Sequence, residues 1–495
     1  MSSQQEREAK LAVLNDFELP EVAPFTLDSP VEKRLDATYV DTDDFRLARR
    51  GITLRYRTDS SEQEPSGWTL KLPEGGEQFI SRQERFFPGE PGVVPTEVSQ
   101  LVGGLVGDRS LGPVAHMVTD RQERIVRDGT ERLAALTDDR VSTGDRYFRE
   151  IEVELVGDAD PERLQPLLDH LTNAGARRAT NRSKLHTVLG PTASLPALPV
   201  VETLTKRSTA ADLVRHAIGK STNRLIEQSF ALQLSGGDIE TVHQARVATR
   251  RLRSDLRTFR RLFDPDWVES LREELRWIAS PLGAVRDLDV MVDRLAGVTR
   301  TMNAADQPHG DALVDRLRAQ RATALEQLLQ SLHEPRFSAL IGRLIDASEH
   351  APFTEEANGK AAKVLIPVVK HPWRRLRAEV KQLDDPPTDE ALHEVRIKAK
   401  RARYALEAAE PVLGKSAERH AEAIAELQGV LGDLHDTAVA QDRLRQIGGS
   451  YADPQAALVV GTLIGWEQAQ HDLLRQQWES IWEKASKKKL RRWAG

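Results

Sequence analysis

Polar and apolar residues alternate through the first 190 positions. In Ile52-Thr53-Leu54-Arg55-Tyr56-Arg57 the period is two, which sends successive side chains to opposite faces of a strand. Short segments of similar character at 6–14, 68–72, 84–87, 123–126, 132–136 and 147–155 are separated by Gly, Pro and Asp clusters, the residues of turns. Seven or eight antiparallel strands in this arrangement predict a sandwich or a closed barrel. Two stretches, near 99–106 and 161–174, read as helices instead. The segment GPTASLPALPV at 190–200 carries three prolines and no charge, so positions 191–200 are read as a linker between domains at 1–190 and 201–495. Beyond it the period becomes that of helices, in long runs of Ala, Leu, Arg and Glu. The expected fold class is α+β multidomain, an antiparallel β domain followed by an all-α one.

The helical half repeats itself. VHQARVATRRLRSDL from Val242 resembles LHEVRIKAKRARYAL from Leu392, and His243, Arg246 and Arg253 recur 150 residues later as His393, Arg396 and Arg403. Lys220 and Arg224 pair with Lys370 and Arg374 at that same offset of 150. Downstream, Leu282-Gly283 with Arg286-Asp287 matches Leu431-Gly432 with His435-Asp436 at an offset of 149. One deletion across three blocks is a coherent register, and it predicts a duplicated bundle of about four helices per copy.

Composition narrows the chemistry. The chain of 495 residues has no cysteine, which excludes a disulfide scaffold, a thiolate metal site and a cysteine nucleophile. No apolar run approaches the roughly 20 residues that span a bilayer, and MSSQQEREAK lacks the apolar core of a signal peptide. The expectation is a soluble, cytoplasmic protein with no membrane partner. The net charge of −6 divides unevenly, with 25 Lys+Arg against 34 Asp+Glu in 1–190 and 45 against 42 beyond. Neither balance is extreme enough to name a partner.

Position along each element says more. Glu6, Glu8 and Lys10 share one face of the opening strand, and Glu150, Glu152 and Glu154 share a face near the end of the domain. Arg55 and Arg57 alternate likewise, with Lys71 in the next strand. These could be the wetted faces of a one-sided sheet. Acids and cations crowded on separate strands also suit a barrel with an ionic interior, where carboxylates hold a hard divalent cation and Lys and Arg hold an oxygen-rich anion. A metal–polyphosphate ligand fits that lining.

The Glu-x-Glu-x-Lys pattern of Glu6, Glu8 and Lys10 resembles the signature of the CYTH, or triphosphate tunnel metalloenzyme, superfamily. The likeness continues through Tyr39-Val40-Asp41-Thr42-Asp43, Leu54-Arg55-Tyr56-Arg57, Trp68-Thr69-Leu70-Lys71, Arg82-x-Glu84, Thr119-Asp120-Arg121, Asp138, Glu150-Ile151-Glu152 and Ser183-Lys184, the last resembling a terminal cationic strand. It implies an eight-stranded antiparallel tunnel that hydrolyses a terminal phosphoryl group. Lys10, Arg55, Arg57, Lys71, Arg121 and Lys184 would bind triphosphate. Glu6, Glu8, Glu150 and Glu152 would bind Mg2+ or Mn2+, and Glu84 and Asp138 would support them, so that Glu6, Glu8, Lys10, Glu84 and Asp138 form the catalytic set. Arg124 competes with Arg121 for the cationic role, and Glu154 is a third acid without an assigned duty.

In the helical half, His243, Arg246, Arg250, Arg253 and Arg257 follow steps of 3, 4, 3 and 4, which draws one stripe along a helix. His393, Arg396, Lys400 and Arg403 repeat the first steps. Between Val242 and Arg261 seven arginines face a single acid, Asp255. A solvated face paired with neighbouring acids is the plain alternative. Like charges at three- and four-residue spacing repel, so an external polyanion is the natural partner. These paired blocks are similar to the CHAD domain, the conserved histidine α-helical domain, over about 201–495. The resemblance implies a basic groove for inorganic polyphosphate lined by His243, Arg246, Arg250, Arg253, Arg257, His393, Arg396, Lys400 and Arg403, with Lys220, Arg224, Lys370 and Arg374 as additions. It also implies association with polyphosphate granules.

Together these readings favour a metal-dependent inorganic triphosphatase in tandem with a polyphosphate-binding module. A non-catalytic polyphosphate scaffold and a tunnel acting on thiamine triphosphate, a nucleoside triphosphate or a 5′-triphosphate RNA end stay open, as does the oligomeric state. Nucleic-acid binding is disfavoured, because aromatics are 5% of residues and none interleaves the 243–257 stripe.

Overall fold

The computed structural model describes residues 3–60, 65–75, 80–157, 160–179, 183–198, 204–205, 207–449 and 453–494. Side chains at 3–6, 74–75 and 80–82 lie outside the described set. The chain divides into two compact units, Met1–Ala197 and Leu198–Gly495.

The first unit is a closed antiparallel barrel. Its strands are β1 (Ser3–Val13), β2 (Thr26–Leu27), β3 (Val31–Asp41), β4 (Thr53–Asp59), β5 (Gly67–Gly75), β6 (Ile80–Phe87), β7 (Gly112–Asp128), β8 (Glu131–Thr143), β9 (Arg146–Leu155) and β10 (Arg177–Arg178). The order β1-β6-β5-β4-β3-β7-β8-β9 returns to β1, because β1 also pairs with β9. Ten strands stand where eight were expected: eight close the barrel, while two-residue β2 and β10 add to its rim by pairing with β7 and β1. Closure depends on β1 changing partners along its length. Residues up to Glu8 pair with β6, and residues from Glu8 onward pair with β9.

The barrel wears its core on the outside. Helices α1 (Thr96–Val106), α2 (Gln165–Asn173) and α3 (Lys184–Leu189) accompany it. Leu11, Leu136, Ile151 and Val153 cluster with Leu167, Leu168 and Leu171 of α2. Each such side chain contributes about 1.5–3 kcal/mol by leaving water. A smaller cluster lies on the inner face, since Ala37 is opposite both Arg57 and Met117, and Val141 is two residues from Asp139; it joins Ala37, Met117 and Val141 to Leu185 of α3 and to Ala193. Since the larger core takes the outward residues of β1, β8 and β9, their period-two neighbours are free to be polar and point inward. Residues 190–194, at the start of the Pro-rich segment, form a 3-10 turn with Ala193 buried in that smaller cluster.

Helices make up the second unit: α4 (Ala210–Ser235), α5 (Ile239–Thr258), α6 (Pro265–Thr299), α7 (Gln307–His333), α8 (Pro335–His350), α9 (Ala361–Lys381), α10 (Asp389–Leu413), α11 (Lys415–Gly448), α12 (Pro454–Arg475) and α13 (Trp478–Ala485). The quartet α4–α7 recurs as α9–α12 in the register of the sequence repeat. Start signals agree: Thr209 and Asp212 form a capping box for α4, and the Asp238, Asp264, Thr388 and Asp453 side chains accept from the first-turn N–H groups of α5, α6, α10 and α12. Buried Val242, Ala245, Thr249, Leu252 and Leu256 of α5 return as buried Leu392, Val395, Ala399, Ala402 and Leu406 of α10. These two helices pack against each other. Among the described residues, no helix is long and apolar enough to cross a membrane.

Candidate active tunnel and basic cavity

Inward side chains of the barrel enclose a cavity of about 430 Å3. Arg55 and Arg57 of β4 and Lys71 of β5 supply one cationic side. Across the ring, β1, β7 and β9 bring Glu8, Lys10, Arg121, Glu123, Glu152 and Glu154. Tyr39 lines it too, and its hydroxyl accepts from Arg55 Nη1 at 3.3 Å. Burial alone would raise the Tyr39 phenol, but Arg55, Lys184 and Lys71 outweigh it and hold the group below its usual range.

Oxygens of Asp139, Glu150 and Glu152 lie within 4.8 Å of one another, and all three side chains are buried. Strand register explains the grouping. Asp139 is directly opposite Glu150, and Thr137 is opposite Glu152, so these residues share the inner face. Cations crowd the trio. Lys184 Nζ is 2.6 Å from Glu150, 2.8 Å from Glu152 and 2.9 Å from Asp139. Arg121 donates to both Asp139 oxygens at 2.8 and 2.6 Å and to Glu152 at 3.1 Å. Lys10 pairs closely with Glu152 and lies 3.5 Å from Glu8.

Charge states follow. Burial opposes ionisation of Glu152, yet Lys10, Lys184 and Arg121 hold it well below the carboxylate range. Glu150 moves the other way, pushed up by burial that Lys184 and Lys10 do not offset. Burial lowers a buried ammonium, but Asp139, Glu150 and Glu152 reverse this for Lys184 and keep it charged.

A second polar cavity, of about 330 Å3, lies within the helical unit. Arg246 and Arg250 of α5 meet Arg396 and Lys400 of α10 there, with Arg286, Asp287 and His435 at its wall. Asp287 holds Arg246 at 3.2 Å. Burial, then Arg396, Arg250 and Arg246, bring Lys400 down to about 8. His393 and His435 are hydrogen-bonded through Nδ1 atoms 3.1 Å apart. Burial and the neighbouring cations lower His243 and His393 and bring His435 to about 4, so all three rings are neutral at pH 7.

Comparison with known proteins matches the barrel and the helices separately. The CYTH domain model matches residues 4–186 and the CHAD domain model residues 216–445. The protein Rv2226 of Mycobacterium tuberculosis (strain ATCC 25618 / H37Rv) is 32% identical over 453 residues, which covers 84% of this chain and 83% of the relative. The chain is a CYTH–CHAD protein. Among solved structures, PptA from Streptomyces chartreusis is similar at 23% identity, covering 56% of this chain and all of its own, with a TM-score of 0.48. The CHAD domain from the plant Ricinus communis is 26% identical, covers 58% of this chain and 95% of its own, and has a TM-score of 0.47. CYTH domains are metal-dependent and bind triphosphate substrates, and the carboxylate trio supplies hard oxygens for a metal.

The CYTH tunnel brings together Glu8, Lys10, Arg55, Arg57, Lys71, Glu84, Arg121, Glu152 and Lys184 in one lining. Arg121 rather than Arg124 faces inward, and Glu154 joins the lining. Glu84 stands 3.4 Å from Lys71. The Glu6 side chain lies outside the described residues. Asp138 is corrected. It shares a face with Ile151 and Leu136, on the outside of the barrel, where both its oxygens take Arg149 at 2.8 and 2.7 Å. Arg149 also reaches the carbonyls of Asn15 and Phe17, so this pair fastens a loop. Its neighbour Asp139 takes the inner position. Lys184 is corrected in setting, because it opens helix α3, capped by Ser183, instead of lying on a strand. Asp41, inside a family-like segment, holds a turn: its carboxylate accepts from the Thr42, Leu47 and Ala48 N–H groups at 2.7–2.9 Å.

The CHAD stripe does not stay together. His243, Arg246, Arg250, Arg396 and Lys400 meet in the cavity, and His393 reaches it through His435. Arg403 turns to Glu407 and Gln428, and Arg253 faces Arg272 and Arg276. Arg257, Lys370 and Arg374 line a different cavity. Lys220 and Arg224 are exposed and line neither, with Arg224 bonded to Gln244.

Proposed function

We propose that this protein hydrolyses inorganic triphosphate in the CYTH tunnel with Mg2+ or Mn2+ and binds inorganic polyphosphate in the CHAD cavity. The observation that carries the first reading is the buried trio Asp139, Glu150 and Glu152 opposite Arg55, Arg57 and Lys71. Like-charged triphosphate would be repelled by the trio alone. Lys184, drawn to all three carboxylates, indicates that the trio calls for positive charge. A hard divalent cation held by these oxygens would neutralise phosphate oxygens and polarise the terminal phosphorus.

The chain's own side chains do the rest. Arg55, Arg57 and Lys71 hold the phosphate chain and stabilise charge gathering on the leaving diphosphate, in a cavity where low dielectric strengthens each contact. Arg121 and Lys10 fix the carboxylates between turnovers. Glu84 steadies Lys71. Among the described residues the tunnel lining offers Tyr39 and Phe86 but no paired aromatic clamp for a base, which supports an inorganic substrate.

For the CHAD cavity, six cations, Arg246, Arg250, Arg286, Arg294, Arg396 and Lys400, meet two acids, Asp287 and Asp436, among the described lining residues, which suits a chain of phosphates. Phosphate release from tripolyphosphate, long-chain polyphosphate, ATP and thiamine triphosphate, with Mg2+, Mn2+ or EDTA, tests the whole reading. Metal-dependent release should be fastest from tripolyphosphate. No release from any substrate, with polyphosphate still retained, would make the protein a scaffold.

A further inference from the structure

The cations set apart from the central cavity point to a site of another kind. Arg257 at the end of α5, Arg261 in the 3-10 turn after it, Lys370, Arg374 and Arg375 of α9, and Arg401 of α10 line a lateral cavity of about 670 Å3, together with the apolar Ile366, Pro367 and Pro372. Among the described residues, Arg257, Arg260, Lys370, Arg374, Arg375 and Arg401 have no carboxylate within ion-pair distance, while Arg261 pairs with Glu356.

The internal duplication supplies a control. Arg401 corresponds to Arg251, Lys370 to Lys220 and Arg374 to Arg224, so both copies carry cations here. The difference lies opposite them. Where one copy has Arg257 and Arg260, the other has Glu407 and Glu410. Glu407 takes both Arg251 and Arg403, which neutralises that side. On the lateral side burial and the nearby Arg401 lower the Arg257 guanidinium, and burial with Arg375 lowers Arg401 against the opposing pull of Glu394. One copy therefore closes its charge internally and the other leaves it open, at a cost that an anion would remove.

The wall adds a second requirement. Ile366, Pro367, Val368 and Pro372 give the cavity an apolar wall. A bare phosphate chain leaves that surface unmatched. A ligand joining several phosphates to a flat body covers both the cations and the wall, and arginine planes stack on such a body. We propose that the lateral cavity is a second anion site, specific for a nucleoside polyphosphate and separate from the polyphosphate cavity.

The test is a mant-ATP fluorescence titration of the full-length protein in EDTA at low salt, in an Arg55→Gln/Lys71→Gln background that weakens nucleotide binding in the tunnel. Arg257→Glu with Arg401→Glu should weaken mant-ATP about tenfold or more, whereas Lys400→Glu should change it by less than about twofold. Unlabelled ATP should displace mant-ATP at least about fivefold better than tripolyphosphate does. The proposal fails if the lateral pair has no effect, if Lys400→Glu weakens binding as much, or if tripolyphosphate displaces equally well. Should the reversed pair not fold, Arg257→Gln with Arg401→Gln carries the same comparison. Retention of long-chain polyphosphate by the Lys400→Glu and lateral-pair variants, measured in parallel, separates loss of the central cavity from loss of the lateral one.

Discussion

A lysine brought to about 8 by burial and by Arg396, Arg250 and Arg246 is a pH-dependent component of the central cavity. Its sign can be worked out. The folded pKa of Lys400 lies below the unfolded value, so the charged form is disfavoured in the free protein and this cost fades as pH rises through about 8. Bound polyphosphate needs the charged form. Affinity should therefore fall between pH 7 and 9.5 by roughly tenfold, the worth of one charge-assisted hydrogen bond. Lys400→Met should bind more weakly at pH 7 and lose most of that pH dependence, as measured by filter retention of long-chain polyphosphate. A wild-type affinity constant across this range would place Lys400 outside the contact. The adjacent histidines do not compete as an explanation, because His435, at about 4, is neutral throughout.

At the scale of elements, a one-residue step in β8 separates a structural from a functional carboxylate. Asp139→Asn should reduce metal affinity by more than about tenfold, since even partners beyond the ligand sphere cost 10–100-fold; it too should lower the melting temperature, because it weakens buried pairs with Arg121 and Lys184. Asp138→Asn should keep metal binding and lower the melting temperature, because breaking its buried pair with Arg149 costs about 3–5 kcal/mol. Calorimetric titration with Mn2+ separates the two, with thermal unfolding beside it, and loss of metal binding in Asp138→Asn alone would mean that the face assignment is wrong. The parity was legible in the sequence, since Leu136 and Asp138 share a face and Leu136 is apolar. The repeat, the strand series and the alternating tunnel residues were legible for the same reason: period and offset survive in one dimension. Three features were not. Lys184 opens a six-residue helix, too short to show a period. Arg403 satisfies the stripe spacing but finds Glu407 one turn on. Arg257 lies on the stripe yet turns to another cavity, because a straight stripe on α5 runs past more than one neighbour.

At the scale of the molecule, the two units reach anions by different electrostatics. The tunnel is buried, its cations are preorganised by Asp139, Glu150 and Glu152, and its field is little screened by salt. The central helical cavity concentrates charge with few internal acids, so polyphosphate binding there should weaken steeply with salt through counterion release. Each unit also has its own core, outside the barrel in one and along α5 and α10 in the other. Arg250→Glu with Lys400→Glu should accordingly cut retention of long-chain polyphosphate by about tenfold or more while tripolyphosphate turnover stays within about twofold of wild type. Raising salt should reproduce the first effect in the wild-type protein before it slows turnover. If the double reversal lowered both activities equally in a folded protein, substrate would have to engage the helical cavity before the tunnel. The two sites would then be successive stations for one phosphate chain instead of independent ones.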